Sequence, residues 1–500
     1  MQANPVTPGD FRRILILTLI IGLVLLAWQS VRDTVVNNDA IRYLEMADAI
    51  INGDWQYAFS LYSMMLYSML IALVQALLAP GIVASAYIVN GLLFAVFAWA
   101  FLVTIYRLGA DRQIMTIAAV VLLLHPALLK YSSMIIRDHG FVAFFTLGMG
   151  NLLVYALRRE RRWLYFAIAG LFVSGLFRFE GMVYVAALPI LLLAATGPLS
   201  RHWKLLLTLG LVFAAGGLVA MYFWYTRVVP ENTSGLKFFM QSSTYFLSAL
   251  RQKADMVSTG VLVKYNADDA WLFILSGFLA ILVKTVINRV TIIYGALSIH
   301  GLLKLPPFNQ PDVRRLFVMI VGLNLLILFG SMLTTHLVVG RYTLSVVVML
   351  LFPAVYSLNY LADNFRLAGK GMKTISVIVV LFITVSALQQ LSHGESKPHI
   401  REAADWIAGN IDHSAVIASN STTLLYHAGH SHMAKDSRNI AIGPGYNSWK
   451  KIRQSDYFAI VGKAGRKTDT GKINAESAGE LVREFAGKSG QVLLYRTLRR

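Results

Sequence analysis

Cysteine is absent from this 500-residue chain. Disulfides and thiolate metal sites are therefore excluded, and the absence is compatible with a compartment outside the cytosol. Charge is scarce as well: 14% of residues are charged against 56% hydrophobic, which excludes a soluble multidomain protein. No internal repeat, low-complexity tract or glycine-rich phosphate loop occurs. Acidic residues are outnumbered, 26 against 45 basic, for a net charge of +19. In a soluble chain that excess would suggest nucleic acid. Here much of it falls in short loops between apolar runs, where positive charge sets topology, so no nucleic-acid partner is expected. Apolar runs of about 18 residues or more recur over the first 390 positions, each long enough to cross about 30 Å of hydrocarbon. The chain reads as a polytopic α-helical membrane protein.

Loop charge orders the spans. Phe11-Arg12-Arg13 precedes the run 14–28, and no small-x-small cleavage site follows, so a retained first span with a cytoplasmic N-terminus is expected. The run 61–78 carries Tyr62, Ser63, Tyr67, Ser68 and Gln75. If it crossed, Arg107, Arg112 and the cluster Arg158-Arg159-Glu160-Arg161-Arg162 would lie outside, against the positive-inside rule. An interfacial or re-entrant segment is the cheaper reading. Spans then follow at 82–106, 114–130, 139–157, 163–178, 181–197, 203–225, 272–286, 316–334, 343–361 and 374–391, with 226–268 a long outer loop and 291–303 ambiguous. That gives about eleven spans, or thirteen if both doubtful segments cross. Residues 1–391 are thus expected to form a transmembrane domain with an outer loop at 31–62. Residues 392–500 form a small outer α/β domain, with helices at 400–411 and 476–485 and strands at 415–418, 439–442, 456–462 and 491–496.

This topology gathers Asp39, Asp138, Arg178, Glu180, His336 and Arg341 at span ends on one face. Charges at the membrane edge are costly and are functional candidates; the alternative is that they pair to close the bundle, as Arg178 and Glu180 would. Around Asp39, residues Tyr43, Met46 and Ile50 follow at i+4, i+7 and i+11, one face of an amphipathic helix lying along the bilayer surface. An aspartate before such a run can also be a simple cap. His427, His430 and His432 suggest a metal site, but the glycine among them and the lack of a nearby carboxylate or thiolate in a recognisable spacing favour a polar loop. Asp268-Asp269 reads as a solvated span boundary, with cation binding as the alternative.

The stretch Asp39-Ala40-Ile41-Arg42-Tyr43, with Ala47 and Gly53-Asp54-Trp55, resembles the first outer loop of the GT-C glycosyltransferases. It is similar above all to the bacterial aminoarabinose transferases and protein O-mannosyltransferases. The family pattern there is Asp-Glu-x-x-Tyr, often with Arg before the Tyr, then Gly-Asp-Trp. Looser likenesses follow in order: His125-Pro126 with Tyr131-Ser132-Ser133 ahead of an acidic residue at Asp138, Arg178-Phe179-Glu180-Gly181, Gly340-Arg341-Tyr342, and Trp406-Ile407 with Asn410. The chain departs from the pattern at Ala40, where the family has Glu. Met64-Met65-Leu66-Tyr67 stands where Pro-Pro-Leu-Tyr is usual, and Ser63 where aminoarabinose transferases carry a phosphate-binding Lys.

The resemblance implies an inverting transfer of a sugar from a polyprenyl-phosphate carrier to an acceptor hydroxyl. Asp39 and Asp138 would be the catalytic candidates, and Arg42, Tyr43, Arg178, Glu180, His336, Arg341 and Tyr342 the substrate-binding ones. Lys253 and Lys264 are further candidates for the leaving phosphate. One carboxylate suffices as base for the acceptor oxygen, and an arginine or lysine away from bulk water can stabilise the leaving phosphate. The expected partners are the lipid-linked donor, a lipid, glycan or protein acceptor, and membrane lipids. No cofactor is assigned and a divalent cation is left open. The expected location is a bacterial inner membrane with site and C-terminal domain in the periplasm. A secondary transporter or flippase would also explain many spans and edge charges, although such folds commonly show inverted repeats. An O-antigen-ligase-like enzyme is a third reading.

Overall fold

A computed structural model of the chain describes residues 6–33, 35–196, 248, 250–365, 369–392, 397–431, 433, 437–442, 452–462, 479–487 and 490–498. The expected span 203–225 and part of the loop after it lie outside the described residues. Among the described residues, seven helices are long and apolar enough to cross a membrane, or eight if the pair Arg112–Leu124 and Pro126–Ser132, bent by 51°, counts as one span. The protein is a multi-pass helical membrane protein with a small sheet at its C-terminal end.

The helices that position the site are α1 (Pro8–Arg32), α2 (Asn38–Ile51), α3 (Trp55–Leu61), α4 (Leu66–Leu78), α5 (Ile82–Arg107), α6 (Arg112–Leu124), α7 (Pro126–Ser132), α8 (Asp138–Arg158), α9 (Arg161–Phe177), α10 (Glu180–Ala186) and α11 (Leu188–Thr196). After the undescribed stretch come α12 (Ala270–Val290), α13 (Ile292–Lys304), α14 (Pro311–Thr335), α15 (Leu344–Asn364) and α16 (Lys370–Ser392). Contacts sort the loops to two ends. At one end Arg158 donates to the Arg107 carbonyl (2.7 Å), Arg107 to Asn151 (3.1 Å) and Gln113 to Asp363 (2.9 Å), and Arg159 pairs with Asp312. The other end holds Asp39, Asp138, Arg178 and Arg341. Between them α8 and α9 pack with backbones nearly touching: a Cβ on Gly170 would lie 2.7 Å from the Gly148 nitrogen. Only glycine at that crossing allows this approach, which fixes where α9 ends and delivers Arg178.

The two doubtful segments are both short helices. α4 has 13 residues, about 20 Å of helix, less than the hydrocarbon thickness. Its Tyr67 hydroxyl donates to Asn90 (2.7 Å) and its Gln75 accepts from Ser85 (3.0 Å). It therefore runs antiparallel to the start of α5 and stays at the site end, as an interfacial or re-entrant segment should. The second segment, α13, changes the expected path. The residues 272–286 were expected to return to the basic end. Instead α12 brings Arg289 to the site end, where its guanidinium lies over the Tyr131 ring (5.5 Å) and beside Gly340. The helix breaks at Thr291, whose φ of +64° a β-branched residue rarely adopts. α13 then continues inward: Tyr294 packs tilted against His125 (ring centroids 4.6 Å), His300 meets Ser357 (3.0 Å) and Tyr360 (ring centroids 5.2 Å).

The C-terminal part comprises α17 (Pro398–Asn410), α18 (Thr422–His427) and strands β1 (Ile417–Ser419), β2 (Ile440–Ala441), β3 (Tyr457–Gly462), β4 (Gly479–Gly487) and β5 (Gly490–Thr497). The sheet order is β2-β1-β3-β5-β4, parallel among the first three and antiparallel in the rest. Where a helix was expected at 476–485, the described residues from 479 onward are instead strand β4, which pairs with β5 from Gly479 to Gly487, and 476–478 lie outside the described residues. Phe485 reaches Trp406 of α17 (ring centroids 6.1 Å). A helix of that length has too few internal hydrogen bonds to stand without packing, and pairing with β5 overrides its local preference. The sheet unit sits against α2 through α18: Val36 N–H donates to His427 Nε2 (3.1 Å), Thr423 to Asn38 Oδ1 (2.6 Å), and the Tyr57 hydroxyl of α3 to the Met433 carbonyl.

Candidate active site

Asp39 does not cap its helix. The N-cap is Asn37, which makes no side-chain cap bond, and Asp39 stands in the first turn of α2. Its carboxylate pairs with Arg341, 302 residues away, on the short 3-10 turn Gly340–Thr343 that opens α15. The Arg341 Nε lies 3.8 Å from the Asp138 carboxylate. Asp138 in turn takes one arm of the Arg178 guanidinium, and Glu180 takes the other. The result is an alternating chain, Glu180–Arg178–Asp138–Arg341–Asp39. The Tyr342 ring lies against both arginines, 4.2 Å from Arg178 and 5.4 Å from Arg341.

Exposure is lowest in the middle of this chain and rises toward both ends. Side-chain accessibility is 22% at Glu180, 6% at Arg178, 3% at Asp138, 15% at Arg341 and 46% at Asp39. Asp39 is the most exposed of the three carboxylates. Charges buried this deeply are tolerated only in alternation, because each isolated ion would cost several kcal/mol of desolvation.

Backbone order behind the carboxylates comes from amides. Asn37 reads the loop between α7 and α8 like a neighbouring strand: its Nδ2 donates to the Ile135 carbonyl (3.3 Å) and its Oδ1 accepts from Ile135 N–H (2.9 Å). Asn90 donates to the Met134 carbonyl (3.0 Å), which also meets His139 (2.9 Å). These bonds place Asp138 at the start of α8. Arg137 lies over the Tyr62 ring (4.4 Å) with an N–H toward Met64 sulfur (3.1 Å). The Met-Met departure is thus where the first loop meets the second.

Of the residues singled out in the sequence, Asp39, Asp138, Arg178, Glu180, Arg341 and Tyr342 come together. Tyr43 is buried edge-on against Tyr67 (5.3 Å), part of the floor beneath α2. Arg42 is exposed, one turn after Asp39 on the same helix. His336 caps α14 and stacks on Phe278 (5.9 Å), with Lys253 nearby; it stands apart from the charge chain. Lys264 and Asp268-Asp269 are exposed. His427 is engaged with Val36 and Arg401, His430 stacks on His413 (5.6 Å), and His432 lies outside the described residues. Among the described residues no group of three His, Asp or Glu side chains is placed to hold a metal. Sequence reasoning missed Asn37, Arg137 and Arg289. Adjacency to Asp138 was the one signal for Arg137; nothing local distinguishes the other two.

Fold and site together define a multi-pass membrane protein with an arginine–carboxylate chain at one end of its helices and a small sheet seated over the helix that bears the exposed acid. No protein-family model matches the sequence, and no curated protein matches it. Among solved structures the chain is similar to ArnT from Cupriavidus metallidurans bound to undecaprenyl phosphate, at 14% identity over 98% of both chains with a TM-score of 0.44. It is likewise similar to the same protein in the apo state, at 12% identity over 96% of this chain and 97% of that one, TM-score 0.45.

Proposed function

We propose that the protein is an inverting membrane glycosyltransferase that moves a sugar from a polyprenyl-phosphate carrier to an acceptor hydroxyl. The observation that carries this reading is the pairing of the exposed Asp39 carboxylate with Arg341, backed by the buried Asp138–Arg178 pair and the half-buried Glu180. It is supported by the likeness of the Asp39–Trp55 stretch and of Gly340-Arg341-Tyr342 to the GT-C loops. Asp39 takes the proton of the acceptor hydroxyl as that oxygen attacks the anomeric carbon. The bond from that carbon to the carrier phosphate breaks, and its electron pair leaves on phosphate oxygen. Arg341, fixed from behind by Asp138, faces that developing charge. Asp138 serves to position arginines rather than to take protons, since it is closed to solvent. The basic residues Arg107, Arg158 and Lys370 support a reading in which the opposite end faces the cytoplasm, with the site and the domain from residue 392 on the periplasmic side of a bacterial inner membrane.

Asp39→Asn tests this. Asparagine keeps the size and removes the base, so the expected result is an intact fold with transfer lowered by about 10²–10⁴. The readout is release of polyprenyl phosphate from a radiolabelled lipid-linked sugar pool in membranes. Wild-type release by a correctly folded Asp39→Asn protein rejects the assignment.

A further inference from the structure

Beside the α2 N-terminus lies a cavity of about 550 Å³ lined by none of the five charged side chains from Glu180 to Asp39. Its walls are the ends of three helices, α1, α7 and α16, together with the start of the C-terminal part, so it lies where the apolar spans stop. Three basic side chains line it, Arg32, Lys130 and Lys397, against one carboxylate, Asp33. Arg32 donates to the backbone carbonyls of Leu391 and Ser392, the latter at 2.8 Å. Those acceptors hold the guanidinium in place without cancelling its charge. Asp33 accepts from the Ser133 hydroxyl (2.8 Å). Gln29, also in the wall, accepts from Ser132 (3.0 Å), while its Nε2 is shut from solvent with no acceptor among the described residues. On the same helix ends Val24, Trp28 and Leu388 are more than half exposed apolar surface.

We propose that this cavity seats the phosphate-bearing headgroup of an anionic membrane lipid, with the acyl chains running down the apolar flank of α1 and α16. Cationic side chains and adjoining apolar surface fit a charged oxygen-rich head on a hydrocarbon body. A free phosphate would meet the same donors, but nothing in it would use the apolar flank. The site is separate from the transfer reaction, and its test reads binding alone.

The experiment uses the full chain purified in mild detergent. Retention of phosphatidylglycerol and of phosphatidylcholine with identical acyl chains is followed by native mass spectrometry, with inorganic phosphate as a competitor. Wild-type protein should retain phosphatidylglycerol in preference to phosphatidylcholine. Lys130→Gln with Lys397→Gln should weaken that retention about tenfold, the scale of losing a charge-assisted bond. Lys370→Gln, at the far end of α16, should leave it unchanged. If the double variant does not fold, Lys130→Gln alone is used. Equal retention of the two lipids, undiminished retention in the variant, or equal loss with Lys370→Gln would overturn the proposal. Displacement of the lipid by inorganic phosphate would identify a soluble anion as the ligand and overturn the lipid assignment.

Discussion

Arg178 holds two carboxylates at once, and the consequence is structural before it is chemical. Its guanidinium supplies one arm to Asp138 and the other to Glu180, inside a shell closed by Phe141 and Tyr342. Removing one member of a buried ion group costs more than the group ever contributed, because the partners stay behind desolvated. Arg178→Met should therefore destabilise the protein by about 3–5 kcal/mol, read as a lower unfolding midpoint in detergent. Adding Asp138→Asn and Glu180→Gln to that variant should restore part of the loss, since the stranded charges are gone. A single variant as stable as wild type would mean the carboxylates find solvent. The individual charges were legible in the sequence because charges at span ends are rare. The local pair of Arg178 with Glu180 was legible too; the pairing of Asp39 with Arg341 across 302 positions was not. Asn37 stands at the N-cap of α2, but its side chain clamps Ile135 rather than capping the helix, because that neighbour offers both a donor and an acceptor.

Among the elements, α2 carries the exposed acid and is gripped from the sheet unit by α18. His427 Nε2 accepts from Val36 N–H, so that nitrogen must be unprotonated, while Nδ1 faces an Arg401 N–H at 3.1 Å. Burial, and after it the Arg401 charge, push the His427 imidazole down to about 4, against a smaller opposing pull from Asp405. The folded value is below the ordinary one of 6.5. Between the two the unfolded chain binds the proton and the folded chain does not, so stability rises with pH through that window. The contribution is complete above about 6.5 and is lost as pH falls toward about 4. His427→Gln keeps an acceptor for Val36 and carries no charge. Its unfolding midpoint should fall less steeply than that of wild type over this range; equal slopes would remove His427 from the account. The long helices and the strand at β5 were legible from periodicity at this scale, but the runs 114–130 and 181–197 each divide into two short helices that periodicity did not separate. The strand β4 was not, because its partner, not its own pattern, decides its state. Nor was the turn at Thr291, which redirects α12 and brings Arg289 to the site end.

Taken as a whole, the molecule has a basic end and an end that bears the charge chain, and loop charge alone orients it. Arg107, Arg158 and Arg159 meet Asn151, Asp312 and each other's backbones at one end, while Asp39, Asp138 and Arg341 converge at the other. Short loops rich in arginine and lysine resist translocation, so the first end is expected to stay in the cytoplasm. The natural absence of cysteine makes this testable without a background to remove. Single cysteines at Arg161 and Lys370 should react with a membrane-impermeant maleimide only after the membrane is opened. Cysteines at Asp48, exposed on α2, and at Glu402, on α17, should react in intact spheroplasts. A cysteine at Asn288, one residue before Arg289, separates two paths through the middle of the chain. If 272–286 simply returned inward, position 288 would be protected from the outside reagent. With α12 ending beside Tyr131 and Gly340, it lies at the same end as Asp39 and should label with the sites on α2. Protection at position 288 together with labelling at Asp48 would restore the simple alternation of spans and detach Arg289 from the site. External labelling at positions 161 and 370 would invert the whole molecule, and the carboxylate at Asp39 would then face the cytoplasm.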